Sequence, residues 1–156
     1  MIDMLVRLYD LPDSSALYDA VAARGIHLRR ARAFERHTVA AFARGCFTEK
    51  WASEIEVAMT RQPVACFVAT RDKRILGFAC YDTTARGFFG PTGVIEDARG
   101  LGLGKALLMK ALEGLRDLGH AYGIIGGVGP KEFYEKACGA IEIPGSDPGI
   151  YGDLLP

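Results

Sequence analysis

Three glycines alternate with two leucines in the run Arg99-Gly100-Leu101-Gly102-Leu103-Gly104, between a predicted strand and a predicted helix. Glycine allows a backbone to approach a ligand closely, and the first amides of a helix have no partner inside the helix. Such amides lie at the positive end of the helix dipole and bind anions such as phosphate. Lys105 adds a positive charge beside them. The run therefore predicts a phosphate-binding turn, with a tight turn selected only for its geometry as the alternative.

Two common nucleotide-binding motifs do not fit this run. A P-loop requires a glycine five positions before Gly104 and a serine or threonine after Lys105, but the sequence has Arg99 and Ala106 there. The dinucleotide motif G-x-G-x-x-G, counted from Gly102, requires a glycine where the sequence has Leu107. A nucleotide-binding protein of either type is therefore disfavoured.

The stretch from Thr92 to Leu108 resembles the acetyl-CoA-binding motif of the GNAT superfamily of N-acyltransferases. In that motif a Gln or Arg is followed by two residues, Gly, one residue, and Gly or Ala, and Arg99, Gly102 and Gly104 match it. A second stretch, residues 133–140, resembles the helix and turn of the family whose tyrosine faces the sulfur of coenzyme A. The order and spacing of the two motifs also match, and the resemblance covers roughly residues 26–143.

The sequence departs from the family pattern at three points. Gly127 replaces an asparagine often found seven residues before the tyrosine, and Ala140 replaces an aromatic residue after Gly139. The sequence ends soon after Ile143, so the usual last hairpin is expected to be shortened, or rebuilt around Tyr151. The first departure removes the side chain that makes one cofactor contact in the family, and the last leaves no family pattern for the acceptor site.

The resemblance implies that acetyl-CoA is the acyl donor, a cosubstrate, and that no metal takes part. A primary amine of a small molecule or peptide would attack the thioester directly. Backbone amides near Val94 and Ile95 would orient the pantetheine arm and polarise the carbonyl, and Tyr134 would protonate the departing thiolate. The pyrophosphate would be held by Arg99, Gly100, Leu101, Gly102, Leu103, Gly104 and Lys105. A non-catalytic acyl-CoA-binding sensor or regulatory module is the alternative function.

Several residues are candidates for the remaining roles, and each is also compatible with an ordinary structural role. The general base could be Glu54, Glu56, Asp82, Glu96 or a water molecule. Aromatic residues could wall the acceptor site, although core packing is their default role; these are Trp51, Tyr81, Phe88 and Phe89. The aromatic and acidic residues of the tail segment 145–151 could close over an acceptor.

Composition bounds the class of protein. The 156 residues include 19 Lys+Arg and 19 Asp+Glu, so no net charge favours nucleic acid or an anionic membrane as a partner. No apolar run reaches the roughly 18 residues of a spanning helix, and the N-terminus does not resemble a signal peptide. The four cysteines form no CxxC pair, so three of them are expected to be buried free thiols. A cytoplasmic protein is expected, and a homodimer is the most frequent assembly for such proteins.

Apolar periodicity predicts the elements that must carry these residues. The predicted helices cover about residues 14–25, 33–45, 49–61, 103–118 and 131–138, and the predicted strands cover 26–30, 64–70, 75–82, 87–95, 121–126 and 140–143. The pattern predicts one α/β domain over residues 1–156, with a mostly antiparallel mixed sheet and helices on both faces. Residues 1–25 are expected to be an N-terminal extension, 26–143 the core, and 144–156 a C-terminal tail.

Overall fold

The computed structural model describes all residues, 1–156, and contains one mixed sheet of seven strands with five α-helices. The strands are β1 (Met4–Arg7), β2 (His27–Arg30), β3 (Cys66–Arg71), β4 (Arg74–Tyr81), β5 (Phe88–Val94), β6 (Tyr122–Ile125) and β7 (Ile141–Glu142). The helices are α1 (Ser15–Ala23), α2 (Arg36–Cys46), α3 (Glu49–Thr60), α4 (Leu103–Asp117) and α5 (Lys131–Cys138). The predicted α/β class and mixed sheet are confirmed.

The strands lie in the order β2-β3-β4-β5-β6-β1-β7. Every neighbouring pair is antiparallel except β5 and β6, which are parallel. The parallel pair needs a long crossover, and α4 supplies it. The β3–β4 hairpin closes through Asp72 and Lys73, whose φ angles of 52° and 62° belong to a two-residue turn that matches the twist of the strands.

Helix α4 packs against the sheet through a broad apolar stripe that includes Leu107, Leu108, Leu112 and Leu115, each at most 1% exposed. Gly114 of this helix lies against Tyr81 of β4, because a Cβ atom at Gly114 would be 2.6 Å from the Tyr81 ring. The packing fixes the start of α4, and with it the glycine-rich run, relative to β4 and β5.

The N-terminal segment contributes an inner strand of the sheet. β1 pairs with β6 on one side and with β7 on the other, and its residues Met4 and Val6 are fully buried. The sheet therefore extends beyond residues 26–143, into the segment that the sequence pattern sets apart as an extension. No helix of the structure is both long enough and apolar enough to cross a membrane.

Candidate active site

β5 and β6 pair at only two positions and then separate, which opens a cleft in the middle of the sheet. The parallel pairing joins Phe88 to Ile124 and Phe89 to Ile125. β5 continues to Val94, whereas β6 ends at Ile125. The later part of β5 therefore has an edge that no strand covers, and strand pairing does not use the backbone groups that point to this edge.

The open edge of β5 offers the amide of Val94 but not that of Ile95. The Ile95 N–H donates to the Leu76 carbonyl of β4 at 2.9 Å. Because successive amides of a strand point to opposite edges, the Val94 N–H points away from β4 and toward the cleft. The expectation that amides at both residues hold a ligand needs correction: the Ile95 amide is already used inside the sheet, and Val94 remains the candidate.

The glycine-rich run forms a depression at the start of α4. Gly100 and Gly102 have φ angles of 81° and 79°, a left-handed conformation that glycine adopts without strain. A Cβ atom at Gly100 or Gly104 would meet no atom of the chain within 4 Å. Packing therefore does not require glycine at Gly104, and the space beside it is available to a ligand. The first amides of α4 have no partner inside the helix, so this depression, called the cradle below, has the chemistry to bind a phosphate group.

All but one of the residues expected to hold the pyrophosphate line this depression, the exception being Leu101. The lining includes Val94, Arg99, Gly100, Gly102, Leu103, Gly104 and Lys105, but not Leu101 or Ile95. Leu103 is only 1% exposed and Leu101 packs against the core. Their side chains anchor the loop, so only their backbone groups can face a ligand. Arg99 and Lys105 are exposed and supply positive charge.

Tyr134 lies in the cleft between the separated strands. It is 8% exposed and packs edge-on against Phe89 of β5 and against Phe133, with ring centroids 6.2 and 5.0 Å apart. Burial, and then the nearby Cys138 thiol, raise the pKa of Tyr134. The phenol therefore carries its proton at neutral pH and can act as an acid. Helix α5 ends at Gly139, whose φ of 66° suits the left-handed cap of a helix.

Glu54 is the only carboxylate among the residues that line the cleft. Helix α3 begins at Glu49 because the Thr48 hydroxyl accepts a hydrogen bond from the Trp51 N–H at 3.1 Å, and Glu54 lies one turn later. The Thr84 hydroxyl donates a hydrogen bond to Glu54. Burial raises the pKa of Glu54, and the Thr84 hydrogen bond opposes the rise. A half-buried carboxyl group of this kind is a stronger base than one in water.

The other base candidates lie elsewhere. Glu56 points to the opposite side of α3 and lies 3.8 Å from Arg36. Asp82 is 2% exposed and binds the Gly87 N–H and the Arg86 guanidinium, both at 2.7 Å. Glu96 is exposed, in a short 3₁₀ turn before the glycine-rich run. None of the three lines the cleft.

Aromatic candidates divide between the cleft and the core. Trp51, Phe89 and the tail residue Tyr151 line the cleft. Tyr81 does not, because it is fully buried between α4 and Arg30. Phe88 does not line it either, but its ring lies 2.9 Å from the position of a Cβ atom at Gly126 and so packs beneath the cleft wall.

Three features of the cleft are not anticipated from the sequence: Thr84, the loop 126–130, and Asp3 behind that loop. The Asp3 carboxylate accepts a hydrogen bond from the Gly127 N–H at 2.8 Å and is 6% exposed. The residue immediately before β1 thus supplies a carboxylate that binds the backbone amide at Gly127, the position where the sequence departs from the family pattern. An acid within an otherwise apolar N-terminal run is the only sequence signal for it.

The cysteines contribute no nucleophile to the cleft. Cys66, Cys80 and Cys138 are buried free thiols, as predicted, and Cys46 is exposed. Burial raises the pKa of Cys138 to about 11 and that of Cys80 well above its usual range. No group of three or more His, Cys, Asp or Glu side chains is arranged to hold a metal ion.

Comparison with known proteins agrees with this geometry. The sequence profile described as "Acetyltransferase (GNAT) family" matches residues 26–140. Among solved structures, the chain is similar to the GCN5-related glucosamine N-acetyltransferase region of a fungal multi-domain β-N-acetylglucosaminidase (TM-score 0.74, 16% identity, 91% of this chain and 19% of that one). It is also similar to a GCN5-related N-acetyltransferase from Sphaerobacter thermophilus (TM-score 0.67, 18% identity, 91% of this chain and 48% of that one).

This chain therefore spans less than half the length of either structure. No curated protein sequence matches it. The profile match covers most of the chain and includes the glycine-rich run, the cleft strands and the helix of Tyr134. The chain belongs to the GNAT family of acetyltransferases.

Proposed function

We propose that this protein transfers an acetyl group from acetyl-CoA to a primary amine of a small molecule or peptide, by direct attack of the amine on the thioester. The observation that carries the proposal is the adjacency of two depressions. Thr92 and Tyr134 line the cleft. Their near neighbours Val94 and Phe133 line the depression at the glycine-rich run. The cradle proposed for the phosphates thus adjoins the cleft that contains Tyr134, the proposed acid, and Glu54, the proposed base.

The cradle fits the diphosphate end of acetyl-CoA. Open space beside Gly100 and Gly104, the free amides of the first turn of α4, and the charges of Arg99 and Lys105 would together bind it. The Val94 amide would hold the arm that enters the cleft, and a donor at this edge would stabilise the charge that develops on the carbonyl oxygen. One such donor typically contributes about 2.7–4 kcal/mol to transition-state stabilisation.

Proton transfers in the proposed reaction use the two buried groups of the cleft. Glu54 accepts a proton from the amine, directly or through one water, as the nitrogen bonds to the carbonyl carbon. Tyr134 donates its proton to the sulfur as the carbon–sulfur bond breaks, and regains one from solvent. The products are an amide and the free thiol of coenzyme A. A protonated phenol and a carboxyl group of raised basicity suit these opposite roles.

Two measurements test the proposal. Acetyl-CoA at about 100 times its Kd should add about 2.7 kcal/mol to the free energy of unfolding, seen as a rise in Tm, while NAD and ATP should not. Thiol release with a panel of amines, corrected for hydrolysis without amine, should then reveal turnover. A rise in Tm without amine-dependent thiol release would favour the alternative, an acyl-CoA-binding module without catalysis. No shift with millimolar acetyl-CoA would contradict both.

A further inference from the structure

The acceptor side of the cleft contains a carboxylate and no cationic side chain. The sixteen residues that line the cleft include Glu54 and no lysine, arginine or histidine. Met1 also lines the cleft, and its amino group forms an ion pair with Asp147 at 2.7 Å. An acceptor therefore meets no unpaired positive charge that could bind a carboxylate or phosphate of its own.

A second carboxylate strengthens the negative field. Asp3 lies directly behind the cleft wall, hydrogen-bonded to the Gly127 N–H at 2.8 Å. Burial, followed by the charges of Asp3 and Glu54, raises the pKa of Tyr151 to about 12. The Tyr151 hydroxyl therefore keeps its proton, and it lies close enough to both carboxylates for their charges to raise its pKa. A negative potential of this kind attracts an ammonium group and repels an anionic substituent next to it.

Aromatic faces complete a site for an organic cation. Trp51 is fixed by Phe47 and Phe78, with ring centroids 5.2 and 6.0 Å away. Tyr151 lies on the loop side of the same cleft. Aromatic faces attract ammonium groups through their quadrupoles and also bind the carbon skeleton of an amine. Neither effect helps an anion to bind.

Tyr151 also closes one side of the cleft. A Cβ atom at Gly126 would lie 2.1 Å from the Tyr151 hydroxyl oxygen, and one at Gly127 would lie 3.7 Å from its ring. The Tyr151 side chain therefore packs against the backbone of these two glycines. The tail that carries it is held by the residue before β1, because the Asp3 N–H donates to the Ser146 hydroxyl at 2.8 Å. The cleft, of about 400 Å³, thus ends at a fixed wall.

We propose that the acceptor is a compact organic amine with no carboxylate or phosphate beside its amino group, bound between Glu54 and the wall formed by Tyr151. The inference rests on the proposed function, because it describes the second substrate of that reaction. It excludes α-amino acids and aminoalkyl phosphates as preferred acceptors, and it favours amines that carry no anionic group.

Matched amines test the inference with the wild-type protein. The pairs tyramine and tyrosine, histamine and histidine, and ethanolamine and phosphoethanolamine differ only in the anionic group. We expect kcat/KM for thiol release to be at least tenfold higher for the first member of each pair. Equal or reversed values would overturn the inference and leave the proposed function intact. Absence of turnover with every amine would overturn both.

A charge placed at the rim gives a second test. Gly129 lines the cleft, has an ordinary φ, and a Cβ atom there would meet nothing within 4 Å, so Gly129→Lys adds a cation without a clash. We expect it to reduce the tyramine-to-tyrosine ratio of kcat/KM at least threefold. Gly45→Lys, at an equally open position on α2, is the control and should leave the ratio unchanged. An unchanged ratio in Gly129→Lys would contradict the electrostatic basis of the inference.

Discussion

Tyr134 and Glu54 are both buried in a cleft without cationic side chains, and burial shifts the two pKa values in the same direction. A phenol of raised pKa stays protonated over a wider pH range and remains an acid. A carboxyl group of raised pKa holds its proton to a higher pH and is a stronger base once it loses that proton. One environment therefore favours the opposite roles that we propose for the two groups.

Replacing Tyr134 by Phe removes the proposed acid while keeping the ring against Phe89. We expect kcat to fall by about 10²–10⁴-fold, the usual contribution of a general acid, with acetyl-CoA affinity changed far less. Steady-state kinetics together with a thermal-shift titration would separate the two effects. Tyr122→Phe removes a hydroxyl from an exposed tyrosine and serves as the control. An unchanged kcat in Tyr134→Phe would remove Tyr134 from the mechanism.

Replacing Glu54 by Gln tests the base through the pH profile. Only the ionised carboxylate accepts a proton, so wild-type kcat/KM should rise with pH through an apparent pKa above the ordinary glutamate value of about 4.3. Glu54→Gln should lose this limb and fall in rate by about 10²–10⁴-fold. Glu56→Gln, on the other side of α3, should keep both the limb and the rate. A limb that persists in Glu54→Gln would assign it to another group.

The same substitution has an expected effect on stability. Because the pKa of Glu54 is raised in the folded state, the folded protein binds more protons than the unfolded chain between the two pKa values. Ionisation therefore lowers the free energy of unfolding as pH rises through this window, and the lost stability is not regained above it. Urea unfolding should show Glu54→Gln gaining stability relative to wild type over that window. A difference that is independent of pH would contradict the raised pKa.

At the scale of elements, helices and hairpins follow from local pattern, whereas positions in the sheet do not. The apolar stripe of α4 and the turn at Asp72 and Lys73 are readable from the sequence because their determinants lie within a few residues. The position of Glu54 is also readable in principle, since it lies three residues after Trp51 and four before Ala58, on the apolar side of α3. Glu56 lies two residues further round the helix and faces away.

The use of the Ile95 amide and the place of β1 depend on partners distant in sequence. The Ile95 amide faces β4 because of the register that pairs Gly77 with Val94. Alternation along β5 predicts that neighbouring amides diverge but not which of them faces β4. β1 is only four residues long and pairs with residues 122–125 and 141–142, so no local pattern identifies it as an inner strand.

A substitution in the first turn of α4 tests whether the cradle binds the diphosphate of acetyl-CoA. Gly104→Val introduces a side chain into open space and changes helix propensity by less than about 0.5 kcal/mol, so the fold should be retained. The branched side chain would occupy the position of a bound phosphate, and we expect acetyl-CoA affinity to fall at least tenfold, about 1.4 kcal/mol. Gly45→Val, at a helical position with equally open space in the last turn of α2, is the control and should bind normally. Calorimetric titration measures the acetyl-CoA affinity of both variants. Equal affinities of Gly104→Val and Gly45→Val would show that the depression does not hold the diphosphate.

At the scale of the whole molecule, both ends of the chain meet behind the cleft, and Asp3 joins them. Its carboxylate accepts from Gly127, its N–H donates to Ser146, and its carbonyl accepts from the Ile143 N–H at 2.9 Å. The residue just before β1 thus connects the loop 126–130 with the tail that carries Tyr151. The shape of the acceptor site depends on contacts between segments more than 120 positions apart in the chain.

Asp3→Ala should therefore affect stability and acceptor use together. It leaves the Gly127 N–H without an acceptor, and we expect the free energy of unfolding to fall by about 1–3 kcal/mol. Asp3→Asn retains an oxygen that can accept this hydrogen bond and should recover most of the loss. Asp147→Ala removes an exposed surface ion pair with Met1 and should cost less than about 1 kcal/mol.

Because the loop and Tyr151 lose a common anchor in Asp3→Ala, KM for the amine should rise while acetyl-CoA affinity, which depends on α4 and β5, stays unchanged. Urea unfolding and thiol-release kinetics measure the two effects, and a parallel loss of acetyl-CoA affinity would mean that the chain ends support the whole site rather than its acceptor side.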